Sequence, residues 1–201
     1  MKKYNAYILF GAPGCGKGTQ GRALGTLPGF FHCACGDVIR SISPGTPLGE
    51  KLAGYSSRGE LVPDEITIEL WKTYIVQCVQ AGSFNPEADR LLLDGIPRNT
   101  SQARLLEDAI HVEGVFHLQC DNRFELVTRL RRRATRESRL DDAKEEVILR
   151  RLEIFETTTQ PLLEFYQPSV VHSINSQQCP TKVLYEILGH VQNSFNVQLS
   201  S

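Results

Sequence analysis

The stretch Gly11-Ala12-Pro13-Gly14-Cys15-Gly16-Lys17-Gly18-Thr19 constrains this chain more than any other part of it. It follows the apolar run Ala6–Phe10, which reads as a buried strand, and leads into Gly16–Leu24, which reads as the first turns of a helix. Glycines let the backbone curl so that successive N–H groups face one concavity, and the helix N-terminus adds positive dipole at the same point. Lys17 contributes a full charge suited to the β- and γ-phosphates of a nucleotide. The expected cradle is the backbone of Gly14, Cys15, Gly16, Lys17, Gly18 and Thr19. The strict pattern has Ser or Thr directly after the lysine. Here Gly18 intervenes before Thr19, which weakens the case for the usual hydroxyl contact to magnesium.

Four further apolar runs read as strands: Phe30–Cys33, Leu91–Asp94, Val115–Leu118 and Val170–Ile174. Between them lie helical stretches at Glu65–Ala81, Ser101–His111, Arg123–Ala134, Ala143–Tyr166 and Thr181–Gln192. Alternation of this kind predicts an α/β fold, a five-stranded parallel sheet flanked by helices, and the phosphate loop between its first strand and first helix makes it P-loop NTPase-like. A chain of 201 residues suits one such domain. Two segments interrupt the alternation and are expected outside the sheet: 37–63, helical or loop-like, and the short polar patch Ala134–Ser138. A net charge of −1 argues against general nucleic-acid affinity. The six cysteines form no Cys-x-x-Cys pair and read as reduced thiols. The apolar run after Met1-Lys2-Lys3 is too short for a signal peptide or a membrane span, so the expected location is cytoplasmic.

Asp94 ends a predicted strand, and a carboxylate there faces the ligand crevice of an open α/β sheet. It is a candidate magnesium holder, acting through water. Phosphoryl transfer asks the protein mainly for positioning and charge neutralisation, work that arginine forks suit. Arg40, Arg98, Arg129, Arg133, Arg139 and Arg151 are the candidates. Arg129 and Arg133 share a helix face at i, i+4, while Arg131 and Arg132 are expected to be surface charge.

At this point the chain resembles the adenylate kinases over nearly its whole length. Gly11–Gln20 resembles the family's phosphate loop, including the glycine between Lys and Thr. Gly36-Asp37-Val38-Ile39-Arg40 and Gly59-Glu60-Leu61-Val62-Pro63-Asp64 resemble its two monophosphate-site motifs. Asp94-Gly95-Ile96-Pro97-Arg98 with Gln102 is similar to the stretch that holds the acceptor, and Arg139-Leu140-Asp141-Asp142 with Arg151 to the hinge side of the lid.

The resemblance implies ATP and AMP as substrates, two ADP as products, magnesium as cofactor and a monomer. It implies that Lys17 bridges donor phosphates and Arg129 lies against the donor adenine. Arg40 and Arg98 would clamp the acceptor phosphate, with Arg133, Arg139 and Arg151 round the transferring group. Gln102, Cys35, Gly36, Val62 and Gly95 would line the AMP site, which Arg139 and Arg151 also reach. It divides the chain into a core (1–36, 64–133, 140–201), a monophosphate-binding flap (37–63) and a short lid (134–139). The stretch between Arg133 and Arg139 carries no Cys or His, so no zinc is expected.

Three departures leave alternatives open. Cys35 stands where a threonine is usual, Asn99 follows Arg98 as in pyrimidine-specific relatives, and the spacing after Asp142 lets Arg150 substitute for Arg151. The rival readings are a UMP/CMP-type kinase and a catalytically degenerate nucleotide-binding protein. A guanine-reading Asn-Lys-x-Asp stretch is absent, which removes a GTP switch.

Overall fold

The apolar runs assemble into one parallel sheet in the order β2-β3-β1-β4-β5. Its strands are β1 (Tyr4–Phe10), β2 (Phe30–Ala34), β3 (Arg90–Asp94), β4 (Ile110–Gln119) and β5 (Val171–Asn175). The structure is a computed structural model and describes residues 3–137 and 144–199, with side chains described as far as residue 192. The helices are α1 (Lys17–Leu24), α2 (Cys35–Ser41), α3 (Pro47–Ser57), α4 (Asp64–Gln80), α5 (Thr100–Leu106), α6 (Arg123–Glu137), α7 (Glu145–Ile154) and α8 (Pro180–Leu199).

Side chains of a strand alternate between faces, so each central strand feeds two cores. Ala6, Ile8 and Phe10 of β1 pack with Val38 of α2, Ile68, Trp71 and Ile75 of α4 and Leu106 of α5. Tyr7 and Leu9 pack on the other face with Leu24 of α1, Leu130 of α6, Leu152 of α7 and Ile187 of α8. The buried positions of α4 (Thr67, Ile68, Trp71, Ile75, Cys78) recur every three or four residues, the period that presents one stripe to the sheet. All six cysteines are free thiols, four of them buried. Among the described residues no helix is long and apolar enough to cross a membrane.

Segment 37–63 contains no strand. Thr46 caps α3 by accepting the Gly49 N–H at 3.0 Å, and Pro47 occupies the first helical turn.

Several boundaries differ from the sequence expectation. The helix expected over Ser101–His111 stops at Leu106, because Ile110, His111 and Val112 extend β4 and pair with Tyr4, Asn5 and Ala6. The helix expected over Ala143–Tyr166 is α7 alone, followed by a π turn at Phe155–Thr159 and a 3₁₀ turn at Gln160–Phe165. Pro161 explains the break, since it lacks an N–H and its ring would strike the carbonyl four residues back. In the other direction α6 continues to Glu137, so 134–137 of the expected lid tip are helical. Ser138 and Arg139 lie outside the described residues.

Candidate active site

The loop after β1 turns beneath α1 because three of its glycines adopt positive φ: Gly11 (142°), Gly14 (87°) and Gly16 (109°). Close approach forbids side chains at two of them. A Cβ on Gly11 would lie 2.5 Å from the Leu118 carbonyl oxygen, and one on Gly14 would lie 2.9 Å from that of Leu126. Lys17 opens α1, and its Nζ donates to the carbonyls of Gly11 at 2.7 Å and Ala12 at 3.1 Å. The loop from Gly14 through Thr19 forms one wall of a cavity of about 570 Å³.

Parallel register sets Asp94 opposite Leu9, so the carboxylate reaches the cavity beside the loop. Burial pushes its pKa up, but a contact with His32 and the charges of Lys17, His32 and Arg98 outweigh that and hold it below the ordinary carboxylate value. His32 Nε2 lies 3.7 Å from Asp94 Oδ2, which is ion-pair distance and too long for a hydrogen bond.

Sequence reasoning passed over His32. Its neighbours Phe31 and Cys33 face the other core, Gly21 of α1 makes room for its ring, and Gly25, the residue after α1, makes room for its Cβ. Two glycines at i, i+4, one inside the helix that follows the loop and one just past its end, were the signal available.

The arginines converge unequally. Arg129, Arg133 and Arg151 line the larger cavity, as do Arg40 and Arg98. Arg129 donates to the Ser176 carbonyl at 3.1 and 3.2 Å and pairs with Glu125, and Ser176, Gln178 and Pro180 line the same cavity. Arg98 Nε donates to the Gly95 carbonyl at 2.8 Å, and Arg40 pairs with Asp37 at 2.5 Å.

Arg150, the alternative to Arg151, is half exposed, pairs with Glu153 at 2.9 Å and lines neither cavity. Arg131 and Arg132 are both exposed, as expected from sequence, and Arg131 pairs with Glu145. Arg132 also lines the rim of the cavity together with Arg136, so the exposed flank of α6 adds charge to it.

A second cavity of about 60 Å³ lies against the first, lined by Cys35, Gly36, Arg40, Val62, Arg98, Gln102 and Arg151 among others. Gly36, Arg40, Gly59, Leu61, Arg98 and Arg151 line both. Gly95 lines only the larger one. Burial pushes the Cys35 thiol up to about 11, against the opposing charges of Arg98 and Arg40, so it stays protonated at neutral pH. Asn99 lines neither cavity: its Oδ1 caps α5 by accepting the Gln102 N–H, and its Nδ2 donates to Asp64.

Among the described residues no group of three or more His, Cys, Asp or Glu side chains is placed to hold a metal ion.

Comparison with known proteins gives a consistent result. The model of the family described as adenylate kinase matches residues 9–171. A protein named adenylate kinase from Thermus thermophilus is 35% identical over 189 residues, covering 90% of this chain and 94% of the relative. One of the same name from Cyanothece sp. is 41% identical over 167 residues, covering 80% of each chain. Another from Maricaulis maris is 38% identical over 165 residues, covering 79% of this chain and 83% of the relative.

Proposed function

The chain belongs to the adenylate kinase family and transfers the terminal phosphoryl group of ATP to AMP, giving two ADP, and we propose how its residues divide that work. The donor phosphates lie in the Gly14–Thr19 backbone, where Lys17 exchanges a loop carbonyl for a phosphate oxygen. Arg129 lies against the donor base, in the cavity that Ser176, Gln178 and Pro180 also line. Arg40 and Arg98 clamp the acceptor phosphate. Gln102, Cys35, Gly36 and Val62 surround its base, and Gly95 lends backbone beside Arg98. Arg133, Arg139 and Arg151 gather round the transferring group.

The observation that carries this reading is the shared wall. Arg40, Arg98 and Arg151 line both cavities, so two phosphate-bearing ligands placed in them would meet at three guanidinium groups. The reaction needs little else from the protein. A phosphate oxygen is already a nucleophile, so no general base is required, and an in-line displacement is accelerated by holding the partners in place and neutralising charge.

Adenylate kinases take ATP with magnesium. Asp94 fits that ion: its oxygens are hard donors, its lowered pKa keeps it ionised, and it faces the cavity beside the loop. We place it as a holder acting through water, the ion supplying charge neutralisation on the donor phosphates. Zinc has no part in this reading, since 134–139 carries no Cys or His.

Segments 37–63 and 134–139 act as flap and lid over the core (1–36, 64–133, 140–201). The cavity of about 60 Å³ is lined by Gly59, Glu60, Leu61 and Val62 of the flap, so we place the flap as the element that moves to admit a nucleobase. Closure afterwards excludes water that would compete for the phosphoryl group. The working form is a cytoplasmic monomer without nucleic-acid or membrane partners.

The test is ADP formation from magnesium-ATP with AMP, UMP, CMP or GMP offered separately, with Lys17→Ala as control. Turnover with AMP well above the others, lost in the control, is expected. Preference for UMP or CMP would reassign the acceptor to pyrimidines, and transfer to none would leave a nucleotide-binding protein without activity.

A further inference from the structure

The side-chain amide of Gln102 is held at both ends. Its Oε1 accepts the Arg98 N–H at 2.8 Å, and its Nε2 donates to Asp64 Oδ1 at 2.8 Å. The same Asp64 oxygen accepts from Asn99 Nδ2 at 2.9 Å, and Asn99 Oδ1 accepts the Gln102 N–H at 2.8 Å. These four bonds tie the first residue of α4 to the turn after β3 and the first turn of α5. Gln102 is 1% exposed and lines the smaller cavity, whereas Asp64 and Asn99 line neither. Asp64 therefore holds a cavity-lining residue without lining the cavity itself.

The network has one consistent sense. Turning the Gln102 amide over would set Oε1 against a carboxylate and the amide nitrogen against another N–H. Two hydrogen bonds would give way to two repulsions, in a buried group where water relieves neither. A primary amide carries two N–H bonds and two lone pairs. Arg98 and Asp64 use one of each, so one N–H remains on the Nε2 side and one lone pair on the Oε1 side. The order of that remaining pair is fixed by Asp64 at one end and the Arg98 N–H at the other, and Asp64 is the end that a side-chain substitution can change.

Order is what separates purines of similar shape. Along its pairing edge adenine sets the acceptor N1 beside the donor 6-amino group. A 6-oxopurine sets the donor N1–H beside the acceptor O6, the reverse arrangement. We propose that Asp64 is the specificity-determining positioning residue of the acceptor site: by fixing which end of the Gln102 amide donates, it selects a 6-amino over a 6-oxo purine. This rests on the reading above in which Gln102 meets the acceptor base. Asn99 belongs to the same device, as the second donor to the Asp64 oxygen, and is thereby withdrawn from base recognition.

The experiment compares kcat/KM for AMP and for IMP, which differ only at this edge, in the wild type, Asp64→Asn and Gln102→Ala. An asparagine at 64 can offer Gln102 either an acceptor or a donor, so one of the two repulsions against a turned amide is removed and only the Arg98 N–H still opposes it. The AMP-to-IMP ratio is expected to fall about tenfold or more in D64N, with KM for ATP unchanged. Both rates come from one preparation, so a purely structural loss lowers them together and leaves the ratio alone. An unchanged ratio in D64N with a collapsed ratio in Q102A would overturn the role of Asp64 while keeping that of Gln102. An unchanged ratio in both would overturn base reading by Gln102 itself. Asp64→Ser, for which the same fall is expected, carries the test if D64N does not fold.

Discussion

Adjacent arginines on α7 meet opposite fates for a reason that a helical wheel contains. Val147, Ile148 and Leu152 are buried, and Arg151 follows Val147 by four residues, so its stem starts on the core-facing side. Arg150 is turned about 100° away and ends in solvent beside Glu153. Motif spacing left the two open, and the burial pattern separates them. A Cβ on Gly59 would come within 3.0 Å of Arg151 Cγ, so this arginine also packs against the segment placed over the acceptor. The kinetic contrast should be wide. Arg151→Ala is expected to lower kcat/KM by about a hundredfold or more, the scale for removing a group that stabilises transition-state charge. Arg150→Ala, which breaks an exposed pair, should stay within about twofold. Steady-state kinetics of the two variants side by side checks this, and comparable losses would remove Arg151 from the reacting centre.

Helix α1 shows how an element can be shaped by the strand beneath it. Gly21 lies inside the helix, where alanine would ordinarily gain about 1 kcal/mol. Its Cβ, however, would sit 2.2 Å from His32 Nε2, and one on Gly25 would sit 2.8 Å from His32 Cβ. The helix therefore gives up propensity so that the His32 ring can lie between it and Asp94. Gly21→Ala should destabilise by about 1–3 kcal/mol through overpacking, whereas in a His32→Ala background the same change should be neutral or stabilising. Urea unfolding of the four-member cycle gives the coupling, and additive effects would mean that the ring moves aside freely.

This pair also marks the limit of what the sequence could tell. The phosphate loop, the strand-tip Asp94 and the α/β alternation were legible because each depends on local order: glycines before Lys17, an apolar run ending in an acid. His32 was not, since its importance arises from β2 lying against β3 with α1 above, a tertiary juxtaposition. Boundaries failed where a local pattern met a non-local partner. Ile110 and His111 look like the end of a helix until β1 pairs with them. Arg132 is the surface charge that helical spacing predicts, but spacing could not show that it also edges the cavity.

At the scale of the whole molecule, the two cavities bear on how a phosphoryl group crosses from donor to acceptor. Several nucleophilic or acidic side chains line the larger cavity, among them Cys15, His32, Asp37 and Asp94, so a two-step route through a phosphorylated residue has chemical candidates. The arrangement favours the direct route. Cys15 is 2% exposed, Asp37 is paired with Arg40, and His32 lies against α1 with Asp94 at 3.7 Å. The residues between the cavities include the arginines that line both, which can neutralise a group passing from one ligand to the other. Both nucleotides must then be bound before either product leaves. Initial velocities at varied ATP and fixed levels of AMP should give intersecting reciprocal plots, and ATP labelled at its terminal phosphate should leave no label on the protein when AMP is omitted. Parallel plots with a labelled protein would mean that the phosphoryl group stops on a side chain, and the shared arginine wall would then serve two successive transfers instead of one.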